Sequence, residues 1–183
     1  MKLKIGDKEL TQKLEISKDP RSAGSLEDIK NQIKLQMQVR EDLNVASDMV
    51  SQIEWMKKQL YDLREVLAAR GGANDVLQAV GAFDTKLQAI EDELFQPTIA
   101  EGDTKSFRDP QKVYEKLSVL AGDISGLVDF APNKQQLEVY AMLKENLGVQ
   151  KDRLEKLIGT DLVSFNEMLK KNNIAGVIFP GIK

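Results

Sequence analysis

The side chains in this sequence that are best suited to chemistry are carboxylates, and their densest cluster is Glu91-Asp92-Glu93. Glycoside hydrolysis needs two carboxylates that face each other across a cleft, with the pKa of one raised by apolar surroundings. Three successive positions on a helix point in different directions around its axis, whereas a metal ion needs ligands that converge. We therefore expect this cluster to be a solvated helix face rather than a catalytic or metal-binding site.

The sequence contains no cysteine and no histidine. Without cysteine the chain has no disulfide, no thiolate nucleophile and no thiolate metal ligand. Without histidine it lacks the commonest general base and the commonest zinc ligand. Gly71-Gly72 precedes a helix, but the Lys-Ser/Thr pair of a phosphate-binding loop does not follow it. The sequence therefore predicts no catalytic residue, no cofactor and no metal, and we expect this chain not to be an enzyme.

Composition is typical of one domain with an aliphatic core. The chain has 183 residues, of which 42% are apolar, 30% charged and 5% aromatic. Acidic and basic residues are mixed along the chain at a net charge of −3, which argues against nucleic acid and anionic lipid as main partners. No run of about 18 apolar residues occurs, so we expect no membrane insertion.

Helices must carry these side chains, because the longest uninterrupted pattern in the sequence is helical. No proline or glycine occurs between Gly24 and Gly71. Apolar residues recur there in steps of three and four, which places them on one stripe of a helix. The stripe consists of Val39, Leu43, Ala46, Val50, Ile53, Met56, Leu60, Leu63 and Leu67. With Ser25 as its N-cap, the pattern predicts a helix to about Arg70, with a length of about 69 Å.

Four shorter helices are predicted from the remaining proline, glycine and asparagine positions. The expected segments are about 73–95, 110–129, 133–158 and 161–171, with a loop over 98–108. Pro97 should end the second helix and Asp109 should cap the third. Gly159 should break the fourth, with Asp161 capping the fifth. The predicted fold class is mainly α, an antiparallel helical bundle of about four to five helices with one very long first helix, plus a short N-terminal β-hairpin.

The two ends of the chain are not predicted to be helical. Residues 1–18 alternate apolar and polar side chains around a turn at Gly6-Asp7-Lys8, which is typical of a β-hairpin. Because an isolated hairpin is marginal in water, we expect it to be the end of a preceding β domain. A small hairpin docked on the bundle is the alternative. Residues 19–24 are expected to be a linker, 25–173 the bundle, and 174–183 an extended tail that lies in a groove or against the hairpin.

Two features of the long helix bear on interactions. Trp55 is the only tryptophan, and we expect it to be a buried core anchor rather than a ligand platform. The first helix is about twice as long as the others, so one of its ends must overhang or pack on another surface. We expect this overhang, together with the hairpin edge, to be the interaction surface. Its candidate residues are Ile29, Ile33, Leu35 and Met37.

The order of several segments resembles the C-terminal region of bacterial sortilin-like, BNR-repeat glycosyl hydrolase-like proteins. These segments are the strand running into "KDPR", "SLEDIKNQIKLQMQVREDLNVASDMVSQI", "LQAIEDELFQ" and "LIGTDLVSFNEMLKKNNIAGVIFP". The resemblance implies a β-propeller and a small β-sandwich upstream, with the hairpin as the last strands of the sandwich. Any hydrolase activity would belong to the propeller, and no catalytic residue carries over because this sequence has no Asp-box.

The resemblance implies a function and a location. We expect a non-catalytic C-terminal helical module of an exported protein, which serves domain packing, self-association or partner binding. Its partners would be the upstream domains of the same parent chain, with a homodimer as a further candidate. The location would be periplasmic, cell-surface or secreted. The alternative is a freestanding cytosolic helical-bundle adaptor that binds partner helices, and an autonomous enzyme is the third class.

Overall fold

The computed structural model of the chain describes residues 1–71, 74–100 and 108–179. The predicted fold class is confirmed, because the described residues form a two-stranded hairpin followed by helices with a very long first member. The strands are β1 (Lys2–Ile5) and β2 (Lys8–Thr11). The helical elements are α1 (Leu26–Arg70), α2 (Asn74–Leu94), α3 (Pro97–Ala100), α4 (Val113–Ser125), α5 (Lys134–Lys156), a π-helix (Leu157–Leu162) and α6 (Val163–Lys171).

The long helix α1 begins where the sequence predicts. The backbone N–H of Asp28 donates to Ser25 Oγ at 3.0 Å, and the Asp28 carboxylate accepts the Ser25 backbone N–H at 2.8 Å. This reciprocal pair forms a capping box that satisfies two donors at the helix start. The bonds from Ser25 hold the pKa of Asp28 below its usual value. The helix ends at Gly71, whose N–H donates to the Leu67 carbonyl at 3.1 Å.

The helices form three rods that lie side by side with their axes roughly aligned. Helix α1 is one rod of 45 residues. Helices α2 and α4 lie one after the other along it, and both run antiparallel to it. Lys57 and Arg64 of α1 pair with residues of α2, whereas Gln32 reaches α4 through a bond to the Ile124 carbonyl at 2.8 Å. The third rod is α5, the π-helix and α6, which runs parallel to α1.

One apolar core runs through all three rods. Its completely buried side chains include Ile53, Met56, Leu60, Leu87, Leu94, Leu117, Ile124, Leu143 and Leu169. Buried positions of α1 extend from Gln32 to Leu67, so the other rods cover nearly its whole length. Of the two expected outcomes, an overhang or packing on another surface, the structure shows the second. The physical reason is that shorter helices placed end to end can match the length of α1.

The connection between α2 and α4 differs from the prediction. Pro97 does not simply end a helix but starts the single turn α3, where its missing N–H costs nothing. Asp109 does not cap α4, because its carboxylate accepts the Thr98 hydroxyl at 2.7 Å. The buried carboxylate of Glu115 satisfies the backbone N–H groups of Gln96 and Lys112 instead, at 3.1 and 2.9 Å. The predicted loop over 98–108 is thus helical at its start, and residues 101–107 lie outside the described residues.

The predicted break at Gly159 is also wrong. Helix α5 begins after the Asn133 cap as expected, but it continues through the π-helix into α6 without a turn. Asp161 caps nothing, because its carboxylate pairs with Lys86 of α2. Leu157 and Leu162, five residues apart, are both buried. Five α-helical residues overshoot a full turn by about 140°, so the wider π-helix is what keeps both side chains near the core.

The hairpin forms as predicted but lies apart from the bundle. Its antiparallel strands pair Leu3 with Leu10 around a tight turn, in which Gly6 adopts a φ of 57° that L-residues rarely tolerate. Among the described elements neither strand contacts a helix. The second strand is shorter than expected and ends at Thr11, so Leu14 and Ile16 follow it as exposed residues.

The linker packs against the turn that follows α4. Gly24 is buried, and a Cβ added there would lie 1.8 Å from the Asp129 carbonyl oxygen. Only glycine allows the backbone to approach this closely. Upstream, Lys18 Nζ donates to the Ser22 carbonyl at 2.6 Å, which closes the linker on itself.

Candidate functional site

The predicted interaction residues do not share one surface. Ile29, Ile33 and Met37 recur every four residues and form a stripe that is partly to half exposed. Leu35 is only 3% exposed and belongs to the core. It lies two residues from Ile33 and Met37, a rotation of about 200° around the helix, so it points to the opposite side. Leu35 therefore does not belong to the candidate surface.

The carboxylate cluster does not form a catalytic pair. Asp92 and Glu93 are exposed, as expected, but the expectation is wrong for Glu91, which is buried and pairs with Lys57 of α1. Lys57 also donates to Gln88, so a single cation satisfies both partners. A buried, paired carboxylate of this kind ties α1 to α2. Within the described ranges no group of three or more carboxylates is placed to hold a metal ion.

Trp55 lies at the surface, so the prediction of a buried anchor is wrong. Its side chain is 51% exposed, while Ile53 and Met56 beside it are buried completely. These two residues occupy the directions that face the other rods, which leaves position 55 turned outward. One turn further on, Gln59 Nε2 donates to the Trp55 carbonyl at 3.2 Å. Trp55 therefore lies beside the side chain that binds the C-terminal tail.

The tail leaves α6 through a fixed turn. Asn173 adopts a φ of 55°, and the next N–H, that of Ile174, donates back to the Leu169 carbonyl at 2.9 Å. This left-handed cap ends α6 at the predicted position. The tail then runs along α1 in the opposite direction to that helix, toward the middle of the rod. The expectation that the tail lies in a groove is met for residues 174–179, and residues 180–183 lie outside the described residues.

Two carboxamide side chains hold the tail by its backbone. Asn166 of α6 accepts the Val177 N–H at 2.7 Å and donates to the Val177 carbonyl at 2.9 Å. Gln59 of α1 does the same for Ile178, with both bonds at 2.8 Å. In an extended chain the N–H and C=O of successive residues point to opposite sides. The two amides therefore flank the tail and bind it as two neighbouring strands would. We call residues 176–179 with Asn166 and Gln59 the tail clamp.

Side chains of the tail clamp alternate between core and solvent. Val177 is 5% exposed and Ile178 is 71% exposed, as expected when alternate residues of an extended chain face opposite ways. Gly176 lies against Asn166, because an added Cβ would be 3.0 Å from Asn166 Oδ1. Phe179 is partly buried against the core. The groove thus accommodates a small residue, a buried valine, a solvent-facing residue and an aromatic one.

An apolar cavity of about 420 Å³ opens where Phe179 meets α1 and α5. Its walls include the apolar side chains Val45, Met49, Leu154, Ile158 and Phe179. Gln52 also lines it, and its buried Nε2 has no hydrogen-bond partner among the described residues. Buried amide groups are nearly always paired, so this one distinguishes the site from ordinary core.

A polar contact joins α1 to α5. The buried Tyr140 hydroxyl donates to Asp42 Oδ2 at 2.8 Å, and Lys144 Nζ lies 5.6 Å from the centre of the Tyr140 ring. Burial, followed by the hydrogen bond to Asp42 and the charge of that carboxylate, raises the pKa of Tyr140 above its usual value. This pair links the two helices at a fixed register.

Sequence reasoning missed the tail clamp because its parts are far apart in the chain. Gln59 lies 119 residues from Ile178. Glutamine and asparagine are ordinary residues on a helix surface, so neither signals a binding role. The one local signal is an apolar "GVIF" segment shortly after the helix that ends at Lys171.

The comparisons with known proteins leave the family open. No protein-family model, curated protein or solved structure matches the chain. Among the described residues, no helix combines the length and the apolar character that crossing a membrane requires.

Proposed function

We propose that this chain is a non-catalytic helical module of an exported BNR-repeat, sortilin-like protein. Its hairpin packs against a β-rich domain of the same parent chain, and its bundle serves as a rigid support. The observation that carries the proposal is an amphipathic hairpin whose apolar face has no partner among the described residues.

The hairpin has one apolar and one charged face. The register places Leu3, Ile5 and Leu10 on one side, with Lys8 at its edge opposite Ile5, and the three apolar side chains are at least half exposed. The other side carries the ion pair between Lys2 and Glu9, at 2.8 Å. An isolated hairpin is marginal in water, and its apolar face gains stability only by burial. A β-sheet that adds these strands to its edge supplies both the burial and the missing backbone bonds.

Hydrogen exchange tests this proposal. The purified chain is compared with the same chain extended by the residues that its gene encodes before Met1. In the short chain we expect the amides of residues 2–11 to exchange quickly, and in the extended chain to be protected. Leu3→Asp should remove that protection, whereas Thr11→Asp, on the charged face, should retain it. A stop codon just before Met1, or equally fast exchange in both chains, would overturn the proposal.

A second candidate function is an adaptor that binds a partner helix. A groove of about 390 Å³ lies between α4 and α5. Val119, Val139 and Met142 line it with half-exposed apolar side chains, beside polar residues such as Lys116 and Gln136, which is the mixture that an amphipathic partner helix can cover. A Met142→Lys variant should lose binding of such a helix without losing stability, because this side chain is already half in solvent.

A further inference from the structure

We propose that the apolar cavity between α1 and the third rod binds a small, neutral, apolar molecule that carries one hydrogen-bond acceptor, such as a medium-chain ketone. Gln52 donates to that acceptor, and we call the site the Gln52 cavity. Ligand binding there is independent of the hairpin and of the groove between α4 and α5, so it goes beyond both functions proposed above.

The Gln52 cavity has the size and the walls of a small-molecule site. Its volume of about 420 Å³ lies within the range that is typical of such sites, about 300–1,000 Å³. Much of its wall is apolar and comes from α1, the third rod and the tail, through Val45, Met49, Leu154, Ile158 and Phe179. A water molecule needs two to four polar partners, so a wall of this kind favours an apolar ligand over water.

The amide of Gln52 supplies one directional contact in this wall. Its side chain is only 6% exposed, and Nε2 has no hydrogen-bond partner among the described residues. Burying an unpaired N–H donor is costly, and a ligand oxygen that accepts this hydrogen removes the cost. The ligand should therefore carry a carbonyl or a similar acceptor on an otherwise apolar body.

The π-helix places a glycine at the wall of the cavity. Gly159 lines it, and an added Cβ would meet no described atom within 4 Å. Close packing therefore does not require glycine at this position, although glycine lowers the stability of a helix. A longer side chain should extend into the open space and narrow the cavity. π-Helical turns within α-helices often occur at functional sites, which agrees with a binding role for this turn.

The charges at the cavity favour a neutral ligand. Its three charged side chains, Asp48, Lys151 and Glu155, are all exposed, so they lie where the cavity meets solvent. Lys151 Nζ lies 3.9 Å from Glu155 Oε1, so the single cation already faces a carboxylate. Because two acids outnumber one lysine, the local charge is negative. A carboxylate ligand would be repelled there and would also lose its hydration.

Two ligands of the same shape test the role of the amide. The probe is methyl hexyl ketone, and its control is the alkene in which a methylene group replaces the carbonyl oxygen. NMR spectra of the full chain report the side-chain amide of Gln52, whose signal is identified by its loss in Gln52→Met. We expect the ketone to shift this signal saturably and to bind about tenfold more tightly than the alkene, because only the ketone accepts a hydrogen bond. In Gln52→Met the two ligands should bind alike.

A pair of glycine variants tests the location. Gly159→Leu should weaken ketone binding by at least about tenfold, because the new side chain takes up space that the ligand needs. Gly148→Leu is the matched control, since Gly148 is also helical and an added Cβ would meet no described atom within 4 Å, but it does not line the cavity. This variant should bind the ketone like the native chain. Circular dichroism checks that both variants keep their helices.

Specific outcomes overturn the proposal. If the native chain does not bind the ketone, or binds the alkene equally well, the unpaired amide does not mark a ligand site. If octanoate binds more tightly than the ketone, the ligand class is wrong. If Gly148→Leu weakens binding as much as Gly159→Leu does, the ligand does not occupy this cavity. The comparison of ketone and alkene uses the native chain, so it stands even if a variant fails to fold.

Discussion

Gln52 shows how one residue can work against the stability of its own fold. Its side chain is 6% exposed, and the unpaired Nε2 has lost water without gaining a partner among the described residues. Gln32, on the same helix, is equally buried, but its Nε2 donates to the Ile124 carbonyl at 2.8 Å. The two residues therefore form a matched pair that differs in hydrogen bonding.

We expect Gln52→Met to raise the free energy of unfolding by about 1 kcal/mol, because an unpaired buried amide is replaced by an apolar group of similar size. Gln32→Met should lower it by about 1 kcal/mol, because a made bond is lost. Urea denaturation with unchanged m-values measures both changes. Equal signs for the two variants would contradict the assignment.

Tyr140 makes stability depend on pH at the alkaline end. Its pKa is raised in the folded chain by burial and by Asp42, so the folded state keeps the proton when the unfolded state has released it. The stabilisation is complete below the usual tyrosine pKa of about 10 and is lost as pH rises toward the higher folded value.

We expect Tyr140→Phe to lower the free energy of unfolding by about 1.5 kcal/mol at pH 8, because a hydrogen bond to a charged group is removed. The difference between the native chain and the variant should shrink above pH 10. Spectroscopic titration of the three tyrosines should show one late phase that the variant lacks. A late phase that persists in Tyr140→Phe would rule out this assignment.

At the scale of elements, the third rod shows why a local signal failed. Gly159 costs about 1 kcal/mol in a helix, which favours a break. Burying both Leu157 and Leu162 is worth about 1.5–3 kcal/mol for each side chain, which favours continuation. Burial of the two leucines outweighs the cost of the glycine, and the π-helix is the geometry that allows both side chains to be buried. The five-residue spacing of these two leucines was a signal for the π-helix.

Replacing glycine by alanine should have opposite effects on stability at two positions. Gly148 lies inside α5, and an added Cβ would meet no atom within 4 Å, so Gly148→Ala should stabilise the chain by about 1 kcal/mol. Gly24→Ala should destabilise it by about 2 kcal/mol, because the new Cβ collides with the Asp129 carbonyl. Thermal denaturation measures both. A neutral Gly24→Ala would mean that the linker is not attached to the bundle as described.

At the scale of the whole molecule, the bundle and the hairpin are independent. Neither strand contacts a helix among the described elements, so hairpin and bundle share no buried surface. Removing residues 1–17 should therefore leave the thermal midpoint of the bundle unchanged. Circular dichroism at 222 nm measures it. A lower midpoint would show that the hairpin docks on the helices, which is the alternative that the sequence left open.

The sequence predicted where helices begin and end better than it predicted which side chains are exposed. The cap at Ser25, the start at Asn133 and the end at Asn172 were predictable because each depends on bonds within a few residues. The exposure of Trp55 and the burial of Leu35 were not predicted. A stripe of apolar residues shows that a helix has a buried side, but the width of that side depends on how many rods pack against it.

The sequence alone determined that this chain is a helical bundle with a hairpin, because caps, breaks and apolar spacing are local properties of the chain. It also excluded thiol and imidazole chemistry, since those residues are absent. Only the tertiary structure decided that α2 and α4 share one side of α1, and that Gln59 and Asn166 close on the tail. Such contacts join positions up to 119 residues apart, and no local pattern encodes which distant backbone a side-chain amide will bind.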